Sequence, residues 1–468
     1  MKKILNFVKS NLLLIILILQ PFLDILAYAQ NRSSFSFAGL FRLAITVAIP
    51  LYTLFFTKKR KKFILTMCII GAFSCLHVLN GFRVGYANMV ADVKYLLLVL
   101  HAVVLAFSFM FLYEKEELEK QIQNALKIVI PSIAITYYIS YFLKSGNYTY
   151  VDDQIGWTGW NNTPSVFSII TSVLFPFAVY FCINSKKKWH TVFLIPLSLM
   201  CILNGTKAAY LTLLFTLLGF SAFVVVNYFI HKKEKFPIFM LTVLVALVFS
   251  SVIFYNISPR SNIDALINEN LIQSEADLSE EISKNEKPGD KDSSSPYYNF
   301  LDKKMVARFG AKKILDAYGE KPSAEDFANN RLRKIIFGSL VWQETDSITK
   351  FVGFEQDLMT IGADTYDLES DFPAILFYYG YIGFALFIGL ILYFWLRLFK
   401  QLLCHFKESF NLFNFTIFMN YGLLMLSAAF TGHLLRRPNS AIYLAVAILL
   451  IYCKTAPLFT NRKEGKNK

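Results

Sequence analysis

The feature that most constrains this chain is its uneven hydropathy: about a dozen apolar runs, most near 20 residues, surround one polar insertion at residues 257–370. A run of that length matches a hydrocarbon core about 30 Å thick at about 1.5 Å rise per residue. Only helices and closed barrels satisfy their backbone hydrogen bonds inside lipid. A barrel strand alternates polar and apolar over about ten residues, and these runs do not. The expected fold is therefore an all-α polytopic membrane protein with about twelve transmembrane helices. The insertion is expected to form a large loop carrying short helices.

Composition agrees. Of 468 residues 55% are hydrophobic, 46 are Phe, and only 17% are charged, too few charges for a soluble domain of this size. Spans are expected near 11–30, 37–57, 63–82, 95–113, 125–143, 164–183, 189–203, 208–231, 236–256, 372–396, 411–432 and 438–454. The first run continues to Tyr28 without a small-x-small cleavage site, so it reads as a span and not a signal peptide. Four segments follow: an N-terminal bundle of about nine helices at 1–256, the loop at 257–371, about three helices at 372–456, and a basic tail at 457–468. The six cysteines lie in apolar segments or beside basic loops, and none is in the insertion. They suggest neither a disulfide framework nor a metal site.

Charge sets the orientation. Lys58 to Lys62, Glu114 to Lys127, Lys186 to Lys188, Lys232-Lys233, Arg397 to Lys407 and both termini alternate with connections poor in Lys and Arg. The positive-inside rule puts the basic set and both termini in the cytoplasm and the large loop outside. That explains most of the +14 net charge without nucleic acid.

Within the insertion, Ser274 to Ser295 is acidic, rich in Ser and poor in large apolar groups, and reads as a flexible excursion. Residues 302–318 read as one helix. Residues 324–343 read as another, with Ser323 as N-cap and Asp326 closing a capping box. Its apolar stripe runs from Phe327 to Val341, with Arg331, Arg333 and Lys334 beside it. Such a helix could lie on a membrane surface or roof a cavity.

Ionisable groups at membrane depth are costly. Asp24 and Arg42 stand in the first two spans, where an ion pair is the simplest reading. Lys94 and Lys207 open the fourth and eighth spans on the outer side. Arg436 and Arg437 sit outside too, in the turn Gly432 to Pro438, against the positive-inside tendency. That placement calls for an anion, either lipid headgroups or a diphosphate substrate, and a guanidinium fork suits phosphate. His433 shares the turn. Glu369 and Asp371 stand at the mouth of the tenth span. Asp371, followed by Phe372-Pro373, fits a helix cap, which leaves Glu369 freer to act as a base. No Walker, dinucleotide-binding, H-E-x-x-H or G-x-S-x-G pattern is present, and no cofactor or metal is expected.

Four segments carry a resemblance. Gly156-Trp157-Thr158-Gly159-Trp160-Asn161-Asn162 precedes a long span. Asn204-Gly205-Thr206-Lys207 heads another. Arg333 and Trp342 precede Gly353-Phe354-Glu355, and Glu369-Ser370-Asp371 precedes Tyr379-Gly380-Tyr381-Ile382-Gly383. Together with the span pattern over nearly the whole chain, they resemble the O-antigen ligase and O-antigen polymerase superfamily of bacterial membrane glycosyltransferases. Two departures stand out: acidic residues replace the histidine usual in the last element, and Lys207 replaces an arginine. Both suit a divergent branch, such as polymerases for capsule or cell-wall polysaccharide.

The resemblance implies an enzyme of the bacterial cytoplasmic membrane. It would transfer a growing glycan from one undecaprenyl diphosphate to a sugar hydroxyl on the next, and membrane lipids, a flippase and a chain-length regulator are the partners that the resemblance implies. Arg333, Lys207, Arg436 and Arg437, then Arg260 and Lys94, would bind diphosphate. Glu369, Asp371 or His433 would take the proton. A ligase moving finished glycan to a terminal acceptor is the first alternative. A flippase or transporter is the second, though no internal repeat is evident. A sensory or structural protein using the loop for binding alone is the third.

Overall fold

The computed structural model describes residues 7–30, 36–161, 163–231, 237–285, 297–319 and 321–458. It is helical almost throughout, as the hydropathy requires. In chain order the helices are α1 Leu12–Ala29, α2 Phe37–Phe56, α3 Arg60–Val84, α4 Met89–Leu112, α5 Lys115–Phe142, α6 Pro164–Ile183, α7 Leu194–Asn204, α8 Lys207–His231, α9 Ile238–Ile253 and α10 Pro259–Asn285. Then come α11 Lys303–Phe309, α12 Ala311–Tyr318, α13 Ala324–Ala328, α14 Asn330–Glu344, α15 Ser347–Val352, α16 Asp371–Cys404, α17 Phe406–Ser409, α18 Leu412–Phe430 and α19 Pro438–Lys454. The only sheet among the described residues pairs Thr360–Ile361 with Asp364–Thr365, antiparallel.

Ten of the described helices are long and apolar enough to cross a membrane. Two expected spans are not. The one at 189–203 begins as a tight 3-10 turn, Lys188–Phe193, and continues as α7, only 11 residues long, which rises about 16 Å, half a bilayer core. The last, α19, has 17 residues. Lys94, expected at the start of the fourth span, lies inside α4, which begins earlier at Met89.

The insertion differs from its expected form in three places. Residues 302–318 are two helices, because Gly310 takes φ +83° between α11 and α12. Residues 324–343 are also two. Ser323 and Asp326 do form the capping box of α13, but Asn329 ends that helix and accepts hydrogen bonds from Arg331 and Leu332 to start α14. The stretch read as a flexible excursion is helical as far as Asn285. Its remainder from 286, including Lys287 to Asp290, lies outside the described residues, as do Lys232-Lys233, both chain ends and Asn162.

The chain forms two compact units. The first comprises Met1–Ile70, Tyr95–Ser261 and Ile388–Lys468. Its centre is α6 and α19, apolar all round and buried along most of their length, as helices hydrophobic on every face must be. Helices α8, α18 and α19 pack around α6, and α5 packs on α1. The second unit comprises Gly71–Lys94 and Asn262–Phe387. Its core is aromatic: Phe337 and Phe354 are fully buried, and Phe337 stacks on Tyr366 with ring centroids 4.3 Å apart.

Candidate functional site

In the first unit the chain builds one corner from two of the segments that the sequence singles out, together with the stretch around Arg260. Asn147 to Asn161 folds back on itself through the bridges Asn147 with Gly159 and Tyr150 with Ile155. The Trp157 N–H then donates to the Leu203 carbonyl at 2.8 Å, and the Thr149 hydroxyl donates to the Asn204 carbonyl. Gly156 and Gly205 both have positive φ, near +71° and +76°. A Cβ on Gly156 would lie 2.6 Å from the Asn204 carbonyl, and one on Gly205 would lie 2.9 Å from Pro259 Cβ. Glycine is therefore required twice where three backbones meet.

Two helices start at this corner. Thr206 caps α8 by accepting from Ala209 N–H, and Ser258 caps α10 by accepting from Ser261 N–H. Pro259 sits at the first helical position, where its missing N–H is harmless. Lys207 is the first residue of α8 and is exposed; Arg260 is the second residue of α10 and is half-buried, its guanidinium donating to the Tyr150 hydroxyl at 3.2 Å. Each helix start carries partial positive charge of about half a unit. Two cations thus stand where two positive helix ends meet, an arrangement suited to a phosphate or diphosphate.

A second cluster in this unit centres on the turn before α19. Arg436 is 1% exposed and donates to the Tyr95 hydroxyl at 2.8 Å. Arg437 is exposed and precedes α19; His433 is half-buried and takes φ +65°, a strained choice for a residue with a Cβ. Deeper in, the Arg42 guanidinium donates to Asp24 at 2.7 Å and to the Gln20 side-chain oxygen at 3.1 Å, while the Asn439 amide donates to the same Asp24 oxygen at 3.3 Å. The ion pair read from the sequence is present.

In the second unit Glu369 accepts from Arg331 at 2.8 Å and from Lys334 at 2.9 Å. Burial alone would raise its carboxyl, but hydrogen bonds from Lys334 and Arg331, and their charges, outweigh that and hold it below the usual carboxylate range. A carboxylate so held is a weak base. Arg333, on the same helix, hydrogen-bonds Asn330 and stands 3.9 Å from Asp302. Asp371, expected to be the cap before α16, is instead its first helical residue and is fully buried. A negative charge there favours the helix start. Lys94 is exposed.

The sequence reading missed a polar network in this unit. His77, fully buried, pairs with Asp92 at 2.8 Å through one ring nitrogen and contacts the Val352 carbonyl at 2.8 Å through the other. Arg83 donates to both oxygens of Asp346, and with Thr349 it holds that carboxyl well below its usual range. Glu355, 5% exposed, accepts from Ala87 and Asn88 N–H just before α4. Asp92 and His77, ionisable residues in or beside apolar runs, were the available signal. Nothing in their spacing named their partners.

Beside His77, the apolar helix α16 is broken. Gly380 takes φ +67° and ψ −174° inside it, and a Cβ there would run into the Phe351 backbone. Reciprocally, a Cβ on Gly353 would run into the Tyr378 carbonyl, while Phe354 N–H donates to the Phe377 carbonyl at 3.2 Å. Among the described residues there is no group of three His, Cys, Asp or Glu side chains placed to hold a metal ion.

Compared with known families, the chain matches the model of O-antigen ligase like membrane proteins over residues 6–456. No curated protein matches it significantly.

Proposed function

The chain belongs to the O-antigen ligase-like membrane protein family, which suggests a glycan-transferring enzyme, and from that premise we propose that it polymerises lipid-diphosphate-linked glycan repeat units on the outer face of the cytoplasmic membrane. The observation that carries the proposal is the corner at Gly205 and Pro259, where Lys207 and Arg260 flank two capped helix starts. A sugar held on a lipid diphosphate already has its leaving group. The acceptor hydroxyl attacks the anomeric carbon, the bond from that carbon to the diphosphate oxygen breaks, and the lipid diphosphate departs as an anion. Lys207, Arg260 and the two helix starts stabilise the charge as it develops. Arg436 and Arg437, in the same unit, serve as further phosphate contacts.

The acceptor's proton goes to a side-chain base, and the reading favours His433. Support comes from the alternatives: Glu369 is neutralised by two cations, and Asp371 is fully buried at a helix start that favours its charge. Glu369 instead orders Arg331 and Lys334.

The test is the size profile of lipid-linked and surface glycans in a strain lacking the chain, complemented with wild type, Lys207→Ala or Arg260→Ala. Loss of long chains with accumulation of single repeat units supports a polymerase. Long chains stranded on the lipid carrier would instead mean transfer of finished glycan to a terminal acceptor. Unchanged profiles in the deletion strain and both variants would overturn glycan transfer as the function.

A further inference from the structure

We propose that the groove between α7 and α9 holds the hydrocarbon tail of the lipid whose diphosphate sits at Lys207 and Arg260; this rests on the reading of that corner given above. The two helices run in the same direction, and both end at the corner: α7 leads into Gly205 and α9 into Pro259. Between them lies a cavity of about 430 Å³, bounded on one side by residues from Thr191 to Ile202 and on the other by residues from Val243 to Phe254.

The groove exists because small side chains face it. Ser198 on α7 and Ala246, Ser250 and Ser251 on α9 leave unfilled the space that larger residues would close. The walls on either side are apolar, with Ile195, Leu199, Ile202, Val243, Leu247 and Phe254. Ile195, Leu199 and Phe254 are between 41% and 49% exposed, so the groove opens sideways. In a membrane that opening faces lipid, the side from which a lipid substrate would enter.

Length and charge select the occupant. From Thr191 to Ile202 the wall rises about 17 Å, close to half of a hydrocarbon core about 30 Å thick. The groove therefore covers one leaflet, the depth reached by the first part of a chain whose head lies at the interface. Its upper end, at Ile202 and Phe254, stops just short of Gly205 and Pro259, where the two cations stand. An apolar slot of one-leaflet depth, with the cations Lys207 and Arg260 at the end where α7 and α9 finish and Lys188 over Phe239 at the other, fits an isoprenoid or acyl chain bearing a phosphate or diphosphate. A free sugar or a soluble anion would make no use of it.

The experiment uses the full chain in nanodiscs, with farnesyl diphosphate, farnesol and inorganic pyrophosphate as probes. Wild type is expected to bind farnesyl diphosphate at least tenfold more tightly than pyrophosphate. Ala246→Phe and Ser198→Leu are each expected to erase that advantage while leaving pyrophosphate affinity unchanged. Independently of any variant, a diazirine-bearing farnesyl diphosphate is expected to label peptides from Leu194–Asn204 and Ile238–Ile253. The proposal is overturned if the label maps elsewhere, or if variants with native thermal stability keep the tail advantage. Farnesol competing as well as farnesyl diphosphate would also overturn it, by marking the groove as a general lipid site. If Lys207→Ala and Arg260→Ala leave pyrophosphate binding unchanged while the groove variants still erase the tail advantage, the groove stands and the head-group reading fails.

Discussion

Replacing Arg42 with leucine leaves Asp24 as a carboxylate without its guanidinium in the middle of the first unit. The two side chains are 5% and 10% exposed and 2.7 Å apart, so water compensates little. Removing one partner of a buried pair costs about 3–5 kcal/mol, because the other charge stays buried. The Asn439 amide still donates to Asp24 at 3.3 Å, and one such bond offsets about 1 kcal/mol. Arg42→Leu is therefore expected to lose about 3 kcal/mol. The double variant Asp24→Leu with Arg42→Leu removes both charges and should return to within about 1 kcal/mol of wild type. The stability regained by the second substitution, about 2–3 kcal/mol, is measurable by equilibrium unfolding of the full chain in mixed micelles with increasing dodecyl sulfate. An Arg42→Leu protein as stable as wild type, or a double variant no more stable than the single one, would refute the reasoning. If the double variant is stable and still makes long glycan, the pair is structural; if it is stable and inactive, the pair also serves the reaction.

Other outcomes follow from the same geometry. Lys207→Ala and Arg260→Ala are each expected to slow glycan transfer by roughly tenfold to a hundredfold, the worth of one hydrogen bond to a charged group, read from the rate of chain extension in membranes. His433→Gln should lower turnover while leaving pyrophosphate affinity unchanged; an unchanged turnover would remove His433 as the base. Gly380→Ala should destabilise the second unit by about 1–3 kcal/mol from backbone strain alone, with the clash against Phe351 adding to it; earlier proteolysis around Val352 is the readout. Glu369 has a depressed pKa in the fold, so its contribution to stability is present above the ordinary value of 4.5 and is lost as pH falls through the lower folded value. Glu369→Gln should therefore lower stability near neutral pH and narrow its gap to wild type in acid, as followed by thermal melting across pH.

Much of this protein is decided locally. Apolar runs of membrane length make helices whatever their neighbours do, because lipid offers the backbone no other partner. The capping box at Ser323 and Asp326 is likewise local, since cap and partner lie three residues apart. The pairing of Asp24 with Arg42 was legible because a charge at membrane depth needs an opposite one and these stand in adjacent helices. Even the split at Gly310 follows from a residue able to take positive φ, although the sequence reading ran a helix through it.

The rest depended on tertiary packing. The sequence from Phe372 to Leu396 is continuously apolar and reads as an unbroken helix; the break at Gly380 comes from the Phe351 backbone lying against it. Glu369 looked free in the sequence, and only the fold of α14 brings Arg331 and Lys334 onto it. His77 meets the Val352 carbonyl across 275 positions, and Arg260 meets Tyr150 across 110. Period and composition describe which face of a segment is apolar, but they carry no distance between segments. The proposed phosphate corner is a relation between the starts of two helices, so it exists only once Gly205 and Pro259 are packed together.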